Sequence, residues 1–293
     1  MYGRPNQGFT LVEIFVAIAI IGIIMTLILV GVQSARESAR RITCQNNLHQ
    51  VGIAVANFTN TTRVFPSLLA NRGTKQDAAF DHSAFLTILP ELEVAITKRK
   101  SVYVMNDPKD RAPTVLRCPS ANEFLGYRYC YGSGVQTLNK LDGILRIYKG
   151  LSPSEITDGL SNTALISERM SGNEQRKPVG IAILPGYLTD SGFSNDCTRL
   201  TTATSYVPDV GIDWRGVQPR DLVYSHFSLP NNTHWDCQAG FLHQLISARS
   251  YHSGGVTVLF ADGHVGWMSA NLDVSTWRAF GTVAGHEVLA DNP

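Results

Sequence analysis

Apolar and polar positions divide the chain into two unequal parts. From Ile14 to Ala35 no side chain carries a charge, and Ile14 to Val32 reads IFVAIAIIGIIMTLILVGV, with no polar stripe at helical spacing. At a rise of ~1.5 Å per residue that uncharged run makes about 33 Å of helix, enough to cross a hydrocarbon core of roughly 30 Å. A core helix of a soluble domain would carry a polar face. A secretory signal peptide would have a shorter apolar region and a small-residue exit, whereas Gln33-Ser34-Ala35 runs straight into Arg36. Beyond Val32 the pattern changes: Leu48, Val51, Val55 and Phe58 recur at the spacing of one helical face. Gly52 is the one weak point of that stretch, and Pro66 marks a stop soon after it. The pattern predicts one helix over residues 9–60, with a membrane-spanning part at 14–35 and an outer half that lays its apolar stripe on a head formed by residues 61–293.

The head shows short runs of strand character at Val102–Met105, Gly143–Lys149, Thr163–Ser167, Val179–Leu184, Val256–Ala261 and His264–Met268, separated by Gly, Pro, Asn and Asp clusters. Segments 106–140 and 185–255 have weak periodicity and read as loop-rich. Asp262-Gly263 between two β-rich runs is a hairpin signal of the type I′ kind, in which both turn residues take positive φ. The expected fold is α+β: a lollipop with a long hydrophobic and amphipathic N-terminal helix packed on an antiparallel-sheet head with long loops.

Composition narrows the function. The 293 residues hold 25 Lys+Arg against 24 Asp+Glu, a formal charge of +1, with 17% charged and 44% hydrophobic residues. No surplus of cations exists to displace counterions from a polyanion, so nucleic acid is not an expected partner. A chain this apolar and this weakly charged folds rather than remaining disordered.

The residues ahead of the apolar run carry more. Met1-Tyr-Gly-Arg-Pro-Asn-Gln-Gly8 is followed by Phe9-Thr10-Leu11-Val12-Glu13. A carboxylate costs about 2.5–3.5 kcal/mol near the centre of a membrane helix, so Glu13 needs a partner or a purpose. The segment resembles the type IV prepilin signature: a short polar leader, a Gly, then Phe-Thr-Leu-x-Glu opening a hydrophobic helix. The resemblance implies that residues 1–8 are a leader cut after Gly8 by a prepilin peptidase, that Phe9 becomes an N-methylated N-terminus, and that Glu13 pairs with the amine of a neighbouring subunit. It further implies a single-pass protein of the inner (cytoplasmic) membrane, assembling with like subunits through its helix and carrying its head outside the cytoplasm. Arg36, Arg40 and Arg41 follow the run while the leader offers Arg4, so a positive-inside count points the other way; the motif sets the orientation expected here. Ala35-Arg-Glu-Ser-Ala-Arg-Arg41, Cys44-Gln-Asn-Asn-Leu48, Phe65-Pro66, Arg117-Cys118-Pro119-Ser120 and Ile156-Thr-Asp-Gly-Leu-Ser-Asn-Thr163 resemble a large family of pilin-like bacterial proteins whose head is a domain of unknown function. So does a closing His-nine-Asp-Gly motif, met by His252, Asp262 and Gly263.

Candidate chemistry in the head is sparse. His252, Asp262 and His264 admit a catalytic or metal reading, but Asp262 stands where a hairpin wants an Asp for backbone reasons, and His252 precedes the turn Ser253-Gly-Gly255. The structural reading leads. No H-x-x-x-H, C-x-x-C, phosphate-binding Gly loop or G-x-S-x-G elbow occurs, so neither an enzyme nor a metal site is expected and no cofactor is assigned. Asp107, Asp110, Asp209 and Asp213 are the loop carboxylates available to Ca²⁺, without an EF-hand pattern to order them. Trp214, Trp235, Asp213, Asp236 and His234 are where a glycan or solute would be sought, on the alternative that the head is a tethered carbohydrate- or solute-binding module; Tyr187, Tyr206 and Tyr224 are further rings for stacking. Five cysteines in an exported head point to disulfides, with one thiol left over and several pairings open. The pairs expected are Cys118–Cys130, closing a short loop, and Cys197–Cys237, pinning a long one, with Cys44 free on the helix.

Overall fold

A computed structural model describes residues 10–68, 83–92, 112–120, 126–133, 141–171, 180–186, 189–207, 210, 214, 218–240 and 243–286. Helix α1 runs from Leu11 to Thr62 without a break. It starts where the sequence supplies a capping box: the Thr10 hydroxyl accepts from the Glu13 N–H, and the Glu13 carboxylate accepts from the Thr10 N–H at 2.7 Å. It ends at Arg63, which takes a left-handed conformation (φ 65°) and donates its N–H to Thr59. The large side chains of the run Leu11–Val32 are exposed, and the first buried residue is Cys44. From there Leu48, Val51, Gly52, Ala54, Val55 and Thr59 are buried along one face, the stripe that the spacing predicts.

The head is built on two sheets. The larger has the order β5-β1-β2-β8-β9, from β1 (Tyr127–Gly132), β2 (Ala164–Glu168), β5 (Val223–Ser225), β8 (Gly255–Phe260) and β9 (Val265–Ser269). The smaller has the order β4-β3-β6-β7, from β3 (Ile181–Ile183), β4 (Tyr206–Val207), β6 (Asp236–Ala239) and β7 (His243–Leu245). Each sheet includes one parallel pair, β1 with β5 and β3 with β6, so the head is mixed rather than purely antiparallel. Short helices α2 (Ala84–Ile88), α3 (Asp190–Arg199), α4 (Pro219–Leu222) and α5 (Val274–Ala279) complete it.

One large core joins α1 to the five-stranded sheet, and a smaller one gathers Ala182, Phe193, Cys197, Cys237, Ala239 and Leu245 under the other sheet. Between the sheets lies a buried ion triad. Asp236, at the start of β6, holds Arg169 at 2.6 Å and Arg249 at 2.5 Å, and Arg169 directly follows β2. Two guanidiniums around one carboxylate are tolerable out of water only as a set.

Four expected strands are present as β2, β3, β8 and β9. Gly143–Lys149 is not a strand; the Leu145 N–H donates to Cys130, and the Arg146 carbonyl accepts from Leu68. Val102–Met105 lies outside the described residues. The segments read as loop-rich hold β1, α3, α4 and β4 to β7. The β8–β9 hairpin is not closed by a type I′ turn. The Gly263 N–H reaches the Phe260 carbonyl at 3.0 Å and the Phe260 N–H reaches His264 at 2.9 Å, while Gly263 (φ 94°) alone has positive φ. This is a three-residue loop, a type I turn with a glycine bulge, so the positive φ falls on the one residue that adopts it without cost.

Candidate functional site

Helix α1 meets the head over about four turns, and the polar residues of that junction converge on His252. Glu37 and Cys44 stand seven residues apart, two turns along one face of α1. Cys118 follows a short 3₁₀ turn at Thr114–Leu116, held to the helix by the Asn47 amide, which donates to the Arg117 carbonyl at 2.9 Å. Glu168 ends β2, where the neighbouring strand β8 offers the Thr257 N–H to its Oε2 at 2.9 Å. His252 sits in the turn ahead of β8, its N–H on Ser250 and its carbonyl accepting from Asn231.

His252 Nδ1 lies 2.5 Å from Glu37 Oε1. Its Nε2 lies 3.2 Å from Cys44 Sγ, 3.3 Å from Cys118 Sγ and 3.6 Å from Glu168 Oε1. One donor atom from each of Cys44, Cys118, Glu168 and His252 falls within 4.8 Å of the others, and all four residues are buried. Burial pushes the Glu168 carboxyl above its ordinary range, against the Thr257 N–H and the charge of His252, which favour the anion. Glu37 is closer to water. Its partial desolvation also pushes upward, but the bond to His252 and the charges of His252 and Arg40 hold it below the usual carboxylate range.

The cysteine pairing differs from the expected one. Cys44 bonds Cys118 across 74 residues, and Cys197 bonds Cys237 as predicted. Cys130 is the free thiol, buried in β1 on the sheet core, where desolvation raises its ionisation far above the ordinary thiol value. A short sequence separation favoured Cys118–Cys130; strand geometry turns Cys130 inward and brings Cys118 to the helix instead.

The His-nine-Asp-Gly motif acquires a physical meaning. The residues between its ends contain strand β8, and a six-residue strand puts His252 and Asp262 roughly 17–20 Å apart. They do not form a catalytic pair. Asp262 Oδ1 accepts from the backbone and ring of its neighbour His264, at 3.0 and 2.6 Å, an exposed local turn. Gly263 reaches α1 at Gly52, where a Cβ would come within 2.8 Å of Leu259 Cδ1 and 3.4 Å of the Gly263 carbonyl oxygen. The motif therefore touches the helix at both ends of β8. Between them Arg41 lies over the Trp267 ring of β9, 3.5 Å from its centre. In Ile156–Thr163, Asp158 accepts from Thr282 and from the N–H groups of Gly285 and His286, tying the C-terminal segment down.

The remaining expected residues that are described do not gather at one point. Asp236 belongs to the buried ion triad. Trp214 is buried, its carbonyl accepting from Ser83, and Trp235 packs against Tyr206. His234 contributes a carbonyl to Arg249. Tyr224 is buried with His226, which stacks on Trp277 and which burial pushes down to about 3. Gly8, Phe9, Tyr187, Asp107, Asp110, Asp209 and Asp213 lie outside the described residues. Sequence reasoning overlooked Glu37 and Glu168, which no spacing links to His252.

Comparison with known proteins adds two family matches. A model of the prokaryotic N-terminal methylation motif matches residues 3–29, which supports a type IV pilin-like, membrane-anchored subunit. A second model, described as a protein of unknown function (DUF1559), matches residues 33–275. Neither description names an enzymatic activity. No curated protein and no solved structure gives a significant match. By the extent of that second match, the chain belongs to the DUF1559 family, with a prepilin-type methylation motif at its N-terminus.

Proposed function

We propose that this protein is a pilin-like subunit, inserted in the inner membrane as a precursor, cleaved between Gly8 and Phe9 by a prepilin peptidase, N-methylated at Phe9, and assembled with copies of itself through α1. The observation that carries the reading is the bare apolar half of α1. Its most hydrophobic window has a mean hydropathy of 3.0 and none of it is buried by the head. A helix with apolar side chains on every face is stable only in lipid or among like helices. The methylation motif matched at 3–29 spans the start of that helix.

Glu13 then has two successive partners. In the single chain its carboxylate completes the Thr10 capping box, with both hydrogen bonds supplied by Thr10. In an assembly it takes the N-terminal amine of a neighbouring Phe9, which neutralises both charges away from water and fixes the axial register. The head stands outside the cytoplasm, a placement supported by two disulfides of the kind that persist in oxidising compartments.

The test is the intact mass and N-terminal peptide of the protein from its native membrane or surface fraction. A chain that begins at methylated Phe9 is the expected result. A chain that still begins at Met1 reduces α1 to an ordinary signal anchor and removes the assembly role from Glu13.

A further inference from the structure

We propose that Cys44, Cys118, His252 and Glu168 form a binding site for a zinc-class divalent cation when the two cysteines are thiolates, and that the Cys44–Cys118 disulfide is the oxidised, metal-free form of the same cluster. Four residues from four separate parts of the chain present one donor atom each to a common point. Two sulfurs, an imidazole and a carboxylate are a set that suits zinc, and not the oxygen-only preference of calcium or magnesium.

The distances fit the coordination. Metal bonds of about 2.0–2.3 Å in a tetrahedron place neighbouring donors about 3.3–3.8 Å apart. His252 Nε2 already stands 3.2 and 3.3 Å from the two sulfurs and 3.6 Å from Glu168 Oε1. The sulfurs, bonded to each other here, have to part, and the Glu168 oxygen lies within 4.8 Å of both. A disulfide alone explains little of the arrangement. Glu168 Oε1 is buried, faces the cluster and meets no donor at hydrogen-bond distance, His252 Nε2 standing 3.6 Å away, a costly arrangement for a buried carboxyl oxygen. Disulfide sulfurs are poor partners for it and for the ring nitrogen.

Glu37 supplies the remaining part. A metal-bound histidine commonly donates its other ring N–H to a carboxylate, which fixes the tautomer and turns the free lone pair toward the ion. Glu37 Oε1 occupies that position on His252 Nδ1, itself held by Arg40 at 3.3 Å through the other oxygen. In the thiolate form α1 is thus fastened to the head through a metal instead of a covalent bridge.

Conversion between the two forms uses a dithiol reductant. Its thiolate attacks Sγ of Cys118, the less buried of the two residues, and the S–S bond breaks toward Cys44, which takes a proton. The second reductant thiol then displaces Cys118 and closes a disulfide in the reductant. Two electrons and two protons have passed to the protein, and binding of the cation releases the two thiol protons.

The test uses the full chain in detergent micelles. Co²⁺ is added to the oxidised protein and to protein reduced anaerobically with a dithiol and freed of it. The expected result is one Co²⁺ per chain after reduction only, with the visible bands of a tetrahedral ion and a thiolate charge-transfer band, all lost when Zn²⁺ is added in excess. Cys118→Ser should abolish the bands, while the double variant Cys197→Ser/Cys237→Ser should keep them. Glu37→Gln, which leaves the four donors in place, should weaken Zn²⁺ binding about 10–100-fold. Uptake that survives Cys118→Ser, or that is indifferent to reduction, overturns the proposal. So does a reduced chain that neither shows the bands nor recovers its circular dichroism when Zn²⁺ is supplied.

Discussion

The two halves of α1 share one backbone and differ in everything around it. Residues 11–32 are the more apolar half and lie bare, whereas residues 44–59 are more polar in composition and bury a full stripe in the head. Hydrophobicity alone therefore does not decide where the core forms; its periodicity does. An all-round apolar surface has no direction in which to dock on a small head, and it calls for lipid or for other helices. A one-sided stripe has a direction, and the head fills it with Leu259 of strand β8 and with the Gly263 turn that follows that strand. The polar residues follow the same division. Among the described residues Glu13 bonds to its own helix start, while Glu37 and Cys44 bond across to the head.

The sharpest way to break this comparison is in the bare half. Glu13→Gln retains a side chain able to close the capping box but removes the charge. It should abolish subunit assembly, read as loss of filaments or of helix–helix cross-links, and leave the melting of the head unchanged. Thr10→Ala is the matching control: it removes the cap, costs about 0.5–2 kcal/mol at the helix start, and should leave assembly intact. The opposite outcome for the pair would reduce Glu13 to a capping residue.

In the docked half, Cys118→Ala removes a bridge that closes 74 residues and should lower head stability by about 2–5 kcal/mol in denaturant titration. Cys130, the buried thiol, should resist alkylation in the folded oxidised chain and react once it is denatured, because its thiolate is not populated at neutral pH. Gly52→Val should cost about 1–3 kcal/mol, since the added methyl groups meet Leu259 and the Gly263 backbone, whereas the same change at Gly22, which has open space around it, should leave the head untouched. Arg41→Ala should cost the least, about 0.5–1 kcal/mol, through its place over Trp267.

The helix was legible because both of its signals are long: a charge-free run and a stripe sustained over three turns. Strands β2, β3, β8 and β9 were legible because glycine and polar punctuation bounds them. Strand β1 was missed although Tyr127, Tyr129 and Tyr131 stand at every second position, a period-2 signal masked by Arg128 and Cys130 being buried as well. Strands β5, β6 and β7 have three or four residues each, too few for a period, and β5 joins its sheet by a parallel pairing that leaves no hairpin turn to find. The junction cluster was the least readable part. His252 was singled out, but its partners come from positions 37, 44, 118 and 168, and proximity in the chain misdirected the cysteine pairing toward 130. The expectation of no metal site rested on ligand spacings within one segment, and such spacings do not register donors brought together by tertiary packing.

The Cys44–Cys118 bridge also decides how the molecule bears load. In the proposed assembly, where α1 is drawn out of a membrane, tension along the helix enters the head through a covalent link at Cys44, behind the contact at Arg41 and ahead of that at Gly52, and passes to Cys118. The head is then dragged as one body while its sheet stays unsheared. With that link opened, the same pull falls on side-chain contacts until it reaches the chain connection after Thr62, and the helix peels away from the strand it was docked on.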